Sequence, residues 1–285
     1  AGGTLGILIP PSVVLAVYGF ITEQDVGKLF IAGIIPGLLA IVMYMLAFRV
    51  TYARGLPAGE PFDLRNAIRS LRDVWAVLAL FIAIIGSIYL GVVTATEAAA
   101  VGSVLTALIG VIRGRLGWRS ILDSLVEALR TSVAIYTILI GAILFGYFLA
   151  ITQTPQKITA WLVGLDIGAY PTLALILVFF LLLGCILDAM AMIILLVPIV
   201  FPVVTQLGFD PIWFGVMVVI VLEMGLISPP VGVNVFVVKS VAPDVPMGII
   251  FRGIWPFWIA MAATLAFLIQ WPQIALYLPN AMFGT

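Results

Sequence analysis

The sequence predicts an all-α integral membrane fold, built as an inverted repeat with two re-entrant helical hairpins and one broken transmembrane helix. Three observations predict it: an apolar composition that leaves no wetted exterior, two Pro-Pro pairs inside hydrophobic stretches, and a motif set that occurs twice in the same order.

Of the 285 residues, 64% are hydrophobic and 9% are charged, with a mean hydropathy of +1.29. A soluble domain carries about 25% charged residues because its surface faces water. The exterior of this chain must therefore face lipid. Apolar stretches at 74–90, 133–151 and 172–187 approach the roughly 20 residues that cross a bilayer core. An outer-membrane barrel would alternate apolar and polar residues in segments of about ten. That pattern is missing, so the spans are helices.

The 13 Lys and Arg balance 13 Asp and Glu, but the basic residues are clustered. Arg49, Arg54, Arg65, Arg69 and Arg72 fall in one connection, and Arg113, Arg115, Arg119 and Arg130 in another. Short basic connections stay on the cytoplasmic side, so both are expected there, with the C-terminus outside. A nucleic-acid partner needs its basic residues on a soluble face and is not expected; the surroundings are lipid. There is no His and one Cys, Cys185, so a His-based triad, a disulfide and a zinc site are all ruled out. Cys185 lies in an apolar run and reads as a small hydrophobic filler. Ala1-Gly2-Gly3-Thr4 has no initiator Met, no basic stretch and no cleavage pattern, and is not read as a signal peptide.

Taken in order, the first apolar segment, 5–21, is broken at Pro10-Pro11. A span follows over 27–48, then a connection with an amphipathic helix near 63–72. Spans at 74–90 and 97–112 are separated by Thr94-Ala95-Thr96, and Glu97 beside that break reads as a capping-box residue. An amphipathic helix at 118–130 is expected to lie at the interface, ahead of a span at 133–151 and a short helix at 155–165. The long segment 172–204 carries Asp188 and is punctuated by Pro198 and Pro202. A turn at Leu207-Gly208-Phe209-Asp210-Pro211 leads into 212–238, broken at Ser228-Pro229-Pro230, and a last span covers 248–271. Residues 1–48 then form the end of a first repeat. Residues 49–130 hold cytoplasmic connections, amphipathic helices and scaffold spans, and 131–285 form the second repeat.

The two proline pairs decide the architecture. Proline donates no backbone hydrogen bond, and two in a row end a helix. Neither flanking half is long enough to span, so each segment is expected to enter the membrane, turn at Pro-Pro and leave on the same side. Such backbone survives at membrane depth where protein buries it or a cavity lines it. Gly6-Ile7-Leu8-Ile9-Pro10-Pro11 resembles Gly225-Leu226-Ile227-Ser228-Pro229-Pro230, and Gly33-Ile34-Ile35-Pro36 resembles Gly253-Ile254-Trp255-Pro256. Pro11 precedes Gly33 by 22 residues, and Pro230 precedes Gly253 by 23. Five spans lie between the hairpins, an odd number, so the second copy is inverted relative to the first. Inverted repeats with paired broken segments mark secondary transporters, with the binding site at the repeat interface. The register sets Ala1 opposite Ile220, so the chain is expected to open inside the first hairpin, with a large N-terminal portion lying outside it.

Hairpin tips expose carbonyls and hydroxyls, which are hard ligands for Na⁺, while helix N-termini at the same tips attract an anionic group. The candidates are Gly6 and Ser12 at the first tip and Ser228, Gly232 and Asn234 at the second. Glu97, Asp188 and Glu223 are carboxylates at or near membrane depth, and a buried charge there needs a cavity or a partner. Asp188, in Gly184-Cys185-Ile186-Leu187-Asp188, is the strongest of them, as a Na⁺ ligand or a hydrogen-bond partner of unwound chain. Glu223 reads either as a structural hydrogen-bonding residue or as a ligand. Arg252 reads either as a snorkelling interfacial residue or as a partner of a substrate carboxylate. An intramembrane aspartyl protease would need two facing aspartates, and Asp188 stands alone.

Five motifs in order carry a family resemblance. They are Gly3-Thr4-Leu5-Gly6-Ile7-Leu8-Ile9-Pro10-Pro11-Ser12; Thr94-Ala95-Thr96-Glu97-Ala98-Ala99-Ala100; Asp188 followed by Pro198-Ile199; Gly208-Phe209-Asp210-Pro211; and Gly225-Leu226-Ile227-Ser228-Pro229-Pro230-Val231-Gly232-Val233-Asn234. Together they resemble the large membrane subunit of the tripartite ATP-independent periplasmic (TRAP) transporters, over essentially the whole chain. The resemblance implies an elevator-type importer of organic acids such as C4-dicarboxylates or sialic acids, driven by Na⁺, in the bacterial inner membrane. It implies a small four-helix membrane subunit and a periplasmic substrate-binding protein as partners. It also implies Na⁺ sites using Gly6, Ser12, Gly184, Asp188, Ser228, Gly232 and Asn234, with Pro11, Ser12, Pro230 and Asn234 near the carboxylate substrate. At Ser228 the family more often has Thr; the hydroxyl is kept. The alternative is a Na⁺/dicarboxylate symporter that needs no binding protein.

Overall fold

The computed structural model describes residues 5–52, 75–164, 167–230 and 232–284. Every regular element among them is a helix, thirteen in all. This is what apolar segments require where no water can satisfy a sheet edge. Contacts divide the chain into two units, residues 1–54 with 138–285 and residues 55–137.

In the first unit, α1 (Leu5–Leu8), α2 (Val13–Thr22) and α3 (Val26–Tyr52) form the N-terminal end. In the second, α4 (Trp75–Tyr89) packs against α5 (Ala95–Ile112). Helix α6 (Trp118–Thr152) begins in the second unit's residues and ends in the first's. The first unit continues through α7 (Thr154–Gly164), α8 (Ala169–Gly184), α9 (Ala189–Gln206), α10 (Pro211–Leu226), α11 (Val233–Val241), α12 (Met247–Gln270) and α13 (Gln273–Phe283). Among the described residues, α3, α6, α9 and α12 carry segments long and apolar enough to cross a membrane.

The core of the first unit is α10, whose residues from Ile212 to Leu226 are all buried. A helix that is apolar all round belongs inside, and α1, α2, α3, α8, α9, α11, α12 and α13 all pack on it. The Asp210 carboxylate starts it by accepting the amides of Ile212 and Trp213 at 2.8 and 2.9 Å, with Pro211 in the first turn, where a missing N–H costs nothing. Two tertiary hydrogen bonds tie it sideways. The Tyr18 hydroxyl donates to the Pro211 carbonyl at 2.7 Å, and the Trp213 indole donates to the Leu268 carbonyl at 2.9 Å.

No helix runs through either proline pair. Helix α1 stops at Leu8 and α2 starts at Val13, while α10 stops at Leu226 and α11 starts at Val233; both Pro-Pro bonds are cis. The packing follows the sequence repeat. Helix α1 contacts α2 and α3, and α10 contacts α11 and α12 in the same way. Pro36 and Pro256 lie inside α3 and α12, which pack on each other with Tyr44 edge-on to Phe257 at 5.4 Å.

Two expectations are corrected. Pro198 and Pro202 do not punctuate the long segment: both lie inside α9, and the interruption falls at residues 185–188. There the Asp188 side chain accepts the Met190 amide at 3.0 Å and starts a new helix, which a proline already in helical φ does not do. Residues 118–130 do not form a separate interfacial helix; they run on into α6, a single helix of 35 residues. At 1.5 Å per residue that is roughly 50 Å, longer than a hydrocarbon core of about 30 Å. Thr131-Ser132 supplies neither Gly nor Pro, so nothing ends the hydrogen-bond ladder at the amphipathic boundary. Helix α13, after the last predicted span, was not anticipated. The expected amphipathic helix at 63–72 lies outside the described residues. The capping box at α5 is present: Glu97 Oε2 accepts the Thr94 amide at 2.8 Å, and Thr94 Oγ1 accepts the Glu97 amide at 3.3 Å.

Candidate functional site

The second proline tip and the interruption between α8 and α9 meet. A Cβ on Gly225 would stand 2.7 Å from Cα and C of Gly184, so α10 and α8 cross backbone to backbone. Only glycine permits that approach. Beyond the prolines, the Gly232 amide donates to the Cys185 carbonyl at 3.4 Å, drawing the start of α11 onto the end of α8. Gly232 has φ 57°, in the left-handed region, and no side chain caps α11. Gly184, Gly225 and Gly232 thus let two non-helical stretches share one place inside apolar helices.

Ser228 is 6% exposed and sits where α10 ends. Its hydroxyl donates to the Met224 carbonyl at 2.6 Å and accepts the Trp258 indole N–H from α12 at 2.8 Å. Pro229 and Pro230 are exposed, and Asn234, in the first turn of α11, is half-buried. Asp188 is exposed at the start of α9, three residues past Cys185, and its carboxylate is engaged with the Met190 amide.

The first tip is built locally. Ser12 is 3% exposed and accepts the Leu15 amide at 3.2 Å, capping α2. Pro10 is buried and Pro11 exposed. Gly33 of α3 lies so near that a Cβ there would come 2.7 Å from the Leu8 carbonyl oxygen. Gly6 is exposed, and a Cβ on it would meet nothing within 4 Å. Through α1 and α2 this tip leans on α10, and α2 also packs on α9, with Tyr18 edge-on to Phe201 at 6.5 Å.

Of the residues singled out in the sequence, Gly184, Ser228 and Gly232 come together around the interruption, with Asp188 and Asn234 on the helices that leave it. Gly6, Pro11 and Ser12 belong to the other tip. Glu223 is 0% exposed, and neither carboxylate oxygen has a hydrogen-bond partner among the described residues. Arg252 is exposed on α12. Sequence reasoning missed Gly225 as a packing contact, although the motif comparison contains it, and missed Trp258. A Trp in an apolar span looks like core, and no local pattern links it to a serine 30 positions away.

The helix ends give the site its electrostatics. Carbonyls at the C-terminal ends of α1, α8 and α10 carry partial negative charge and lack intrahelical partners, so they favour a cation; the amides opening α2, α9 and α11 favour an anion.

Thirteen described helices, four of them carrying spanning segments, and paired proline breaks define a multi-pass membrane protein. The chain belongs to the tripartite ATP-independent periplasmic transporter family, DctM component, whose profile matches residues 1–274. That is a family of transporters, not of enzymes. It is 37% identical over 280 residues to the C4-dicarboxylate TRAP transporter large permease protein DctM of Pseudomonas aeruginosa, covering 98% of this chain and 65% of that one. It is 33% identical to the sialic acid TRAP transporter large permease protein SiaM of Vibrio cholerae, over 98% of this chain and 66% of the relative. It is 38% identical over 248 residues to the isethionate TRAP transporter permease protein DctMQ of Oleidesulfovibrio alaskensis, with 85% and 39% covered. The chain therefore spans 65% of the length of the Pseudomonas relative and 66% of the Vibrio one.

Proposed function

We propose that this chain supplies the ion- and substrate-handling part of a secondary importer that couples Na⁺ entry to uptake of an organic acid. A periplasmic binding protein delivers the acid, and a small four-helix membrane subunit is the permease's partner in the bacterial inner membrane. The substrate is a C4-dicarboxylate, a sialic acid or a similar acid, the classes for which the similar permeases are named. The observation that carries the reading is the junction of the second tip with the interruption, where the Gly232 amide meets the Cys185 carbonyl and Gly184 meets Gly225. Two breaks joined inside an apolar bundle gather the carbonyl-bearing ends of two helices in one place, the arrangement in which secondary transporters coordinate a coupling ion.

On this reading Na⁺ is held by Gly6 and Ser12 at the first tip, by Ser228, Gly232 and Asn234 at the second, and by Gly184 and Asp188 at the interrupted helix. The acid lies against Pro11, Ser12, Pro230 and Asn234, with its charge toward the helix N-termini. Transport is elevator alternating access, with both tips and the interrupted helix moving as one body.

Proteoliposomes holding the full-length permease and its small subunit test this. Uptake should require an inward Na⁺ gradient and the binding protein together. Uptake indifferent to Na⁺ overturns the coupling. Uptake that persists without the binding protein identifies a self-sufficient Na⁺/dicarboxylate symporter instead.

A further inference from the structure

We propose that Trp258 is a positioning residue for the second ion site, fixing the Ser228 hydroxyl so that its one remaining lone pair faces the cation. The inference rests on the reading of Ser228 as a Na⁺ ligand. A serine hydroxyl has one proton and two acceptor lone pairs, and its hydrogen rotates to suit its surroundings. At Ser228 the proton goes to the Met224 carbonyl at 2.6 Å, and one lone pair takes the Trp258 indole N–H at 2.8 Å. The rotor is thereby locked. One acceptor position is left on the oxygen, used by neither α10 nor α12.

The surroundings favour this arrangement. A small open pocket with an apolar lining of Ile227, Pro229, Phe251, Ile254, Trp255 and Trp258 lies beside the contact, and a hydrogen bond that is partly shielded from water is stronger than one in water. Trp255 meets Trp258 edge-on at 5.5 Å, which holds the indole plane. The Ser228 contact bridges 30 residues, from the tip to the middle of the long helix α12. Ser12, the buried serine of the first tip, is oriented by an amide three residues away on its own helix. The second tip is shaped by α12.

The test measures Na⁺ half-saturation and maximal uptake in the reconstituted full-length transporter. Trp258→Phe keeps an aromatic body and removes the donor. Incorporating 3-benzothienylalanine at position 258 keeps the bicyclic shape and replaces the N–H with sulfur, which covers the case in which the Phe variant fails to fold. Either change should raise the Na⁺ half-saturation roughly fivefold, the effect of one net hydrogen bond, with maximal uptake little changed. In a Ser228→Ala background the same change should add nothing, whereas Ser228→Thr, which keeps the hydroxyl, should retain the dependence on Trp258. An unchanged or tighter Na⁺ affinity in both 258 variants overturns the role of Trp258 while leaving the ion site standing. An unchanged Na⁺ titration in Ser228→Ala itself removes the ion-ligand reading at this tip, and with it the positioning role. A 258 effect that is equally large without the hydroxyl assigns Trp258 to packing and overturns the proposal.

Discussion

The two proline tips share a sequence pattern, yet they are held by different means. At the first, the hydroxyl follows the prolines, and Ser12 caps the helix it opens. At the second, the hydroxyl precedes them, and Ser228 bonds back to α10 and across to α12. Gly6 and Gly225 occupy equivalent places in the repeat. A side chain on Gly6 would meet nothing within 4 Å, while one on Gly225 would collide with the Gly184 backbone at 2.7 Å. At the first tip the hydroxyl is fixed within its own helix while α3 packs closely at Gly33; at the second the hydroxyl reaches α12 and Gly225 packs on the interrupted helix. A duplicated motif therefore specifies where the chain breaks, and the partners of each break determine what fixes it there.

The largest expected effect exploits that contrast. Gly225→Ala must push α10 away from α8, because the atoms it meets are backbone and cannot rotate aside. Overpacking of this kind costs about 1–3 kcal/mol, and here it also separates the tip from the interruption. Uptake should be nearly abolished and the detergent-solubilised protein should melt earlier. Gly6→Ala, whose added methyl meets nothing within 4 Å, should leave the melting temperature near wild type. Equal effects at the two glycines would mean that the tips are held alike.

Asp188 comes next. It opens α9 through the Met190 amide, so Asp188→Ala removes a helix cap worth about 1 kcal/mol and, on the ion reading, a charged ligand. Asp188→Asn keeps an oxygen able to cap. Uptake at low Na⁺ should fall steeply in both variants, while the melting temperature should fall mainly in the alanine one. If Asn restores Na⁺-dependent uptake in full, Asp188 serves as a cap and not as an ion ligand.

The parts of this architecture that were legible in the sequence are those set by local chemistry. Apolar runs, the Pro10-Pro11 and Pro229-Pro230 pairs and the Thr94–Glu97 box each act over a few residues, so their pattern on the page is their pattern in space. Pro198 and Pro202 looked like interruptions because proline removes a donor, but one missing bond does not end an 18-residue helix that is packed on α2, α7, α8 and α10. The actual gap was marked by Gly184 and Asp188, a small residue and a capping residue whose meaning depends on what lies opposite. The candidate ligands were legible as residue types. Which of them meet was not, because the Gly184–Gly225 approach and the Trp258–Ser228 bond join positions 41 and 30 residues apart. The run-on of α6 was hidden for the opposite reason: a change in amphipathic character carries no stop signal by itself.

The smallest effect should separate the tips most cleanly. Ser228→Ala takes the acceptor from the part-buried Trp258 indole N–H, a loss of one net hydrogen bond, about 0.5–1.5 kcal/mol. Ser12→Ala removes one side-chain cap, about 0.5–2 kcal/mol, and the freed Leu15 amide lies in the first turn of α2. The consequences therefore differ in reach. Amide hydrogen exchange in the Ser12 variant should rise within α2 and stop there. In the Ser228 variant it should rise at the tip and also along α12 around Trp258, because the bond that is lost belongs to both. If exchange in the Ser228 variant stays confined to residues 224–234, the link to α12 contributes no order. The second tip would then be as self-contained as the first.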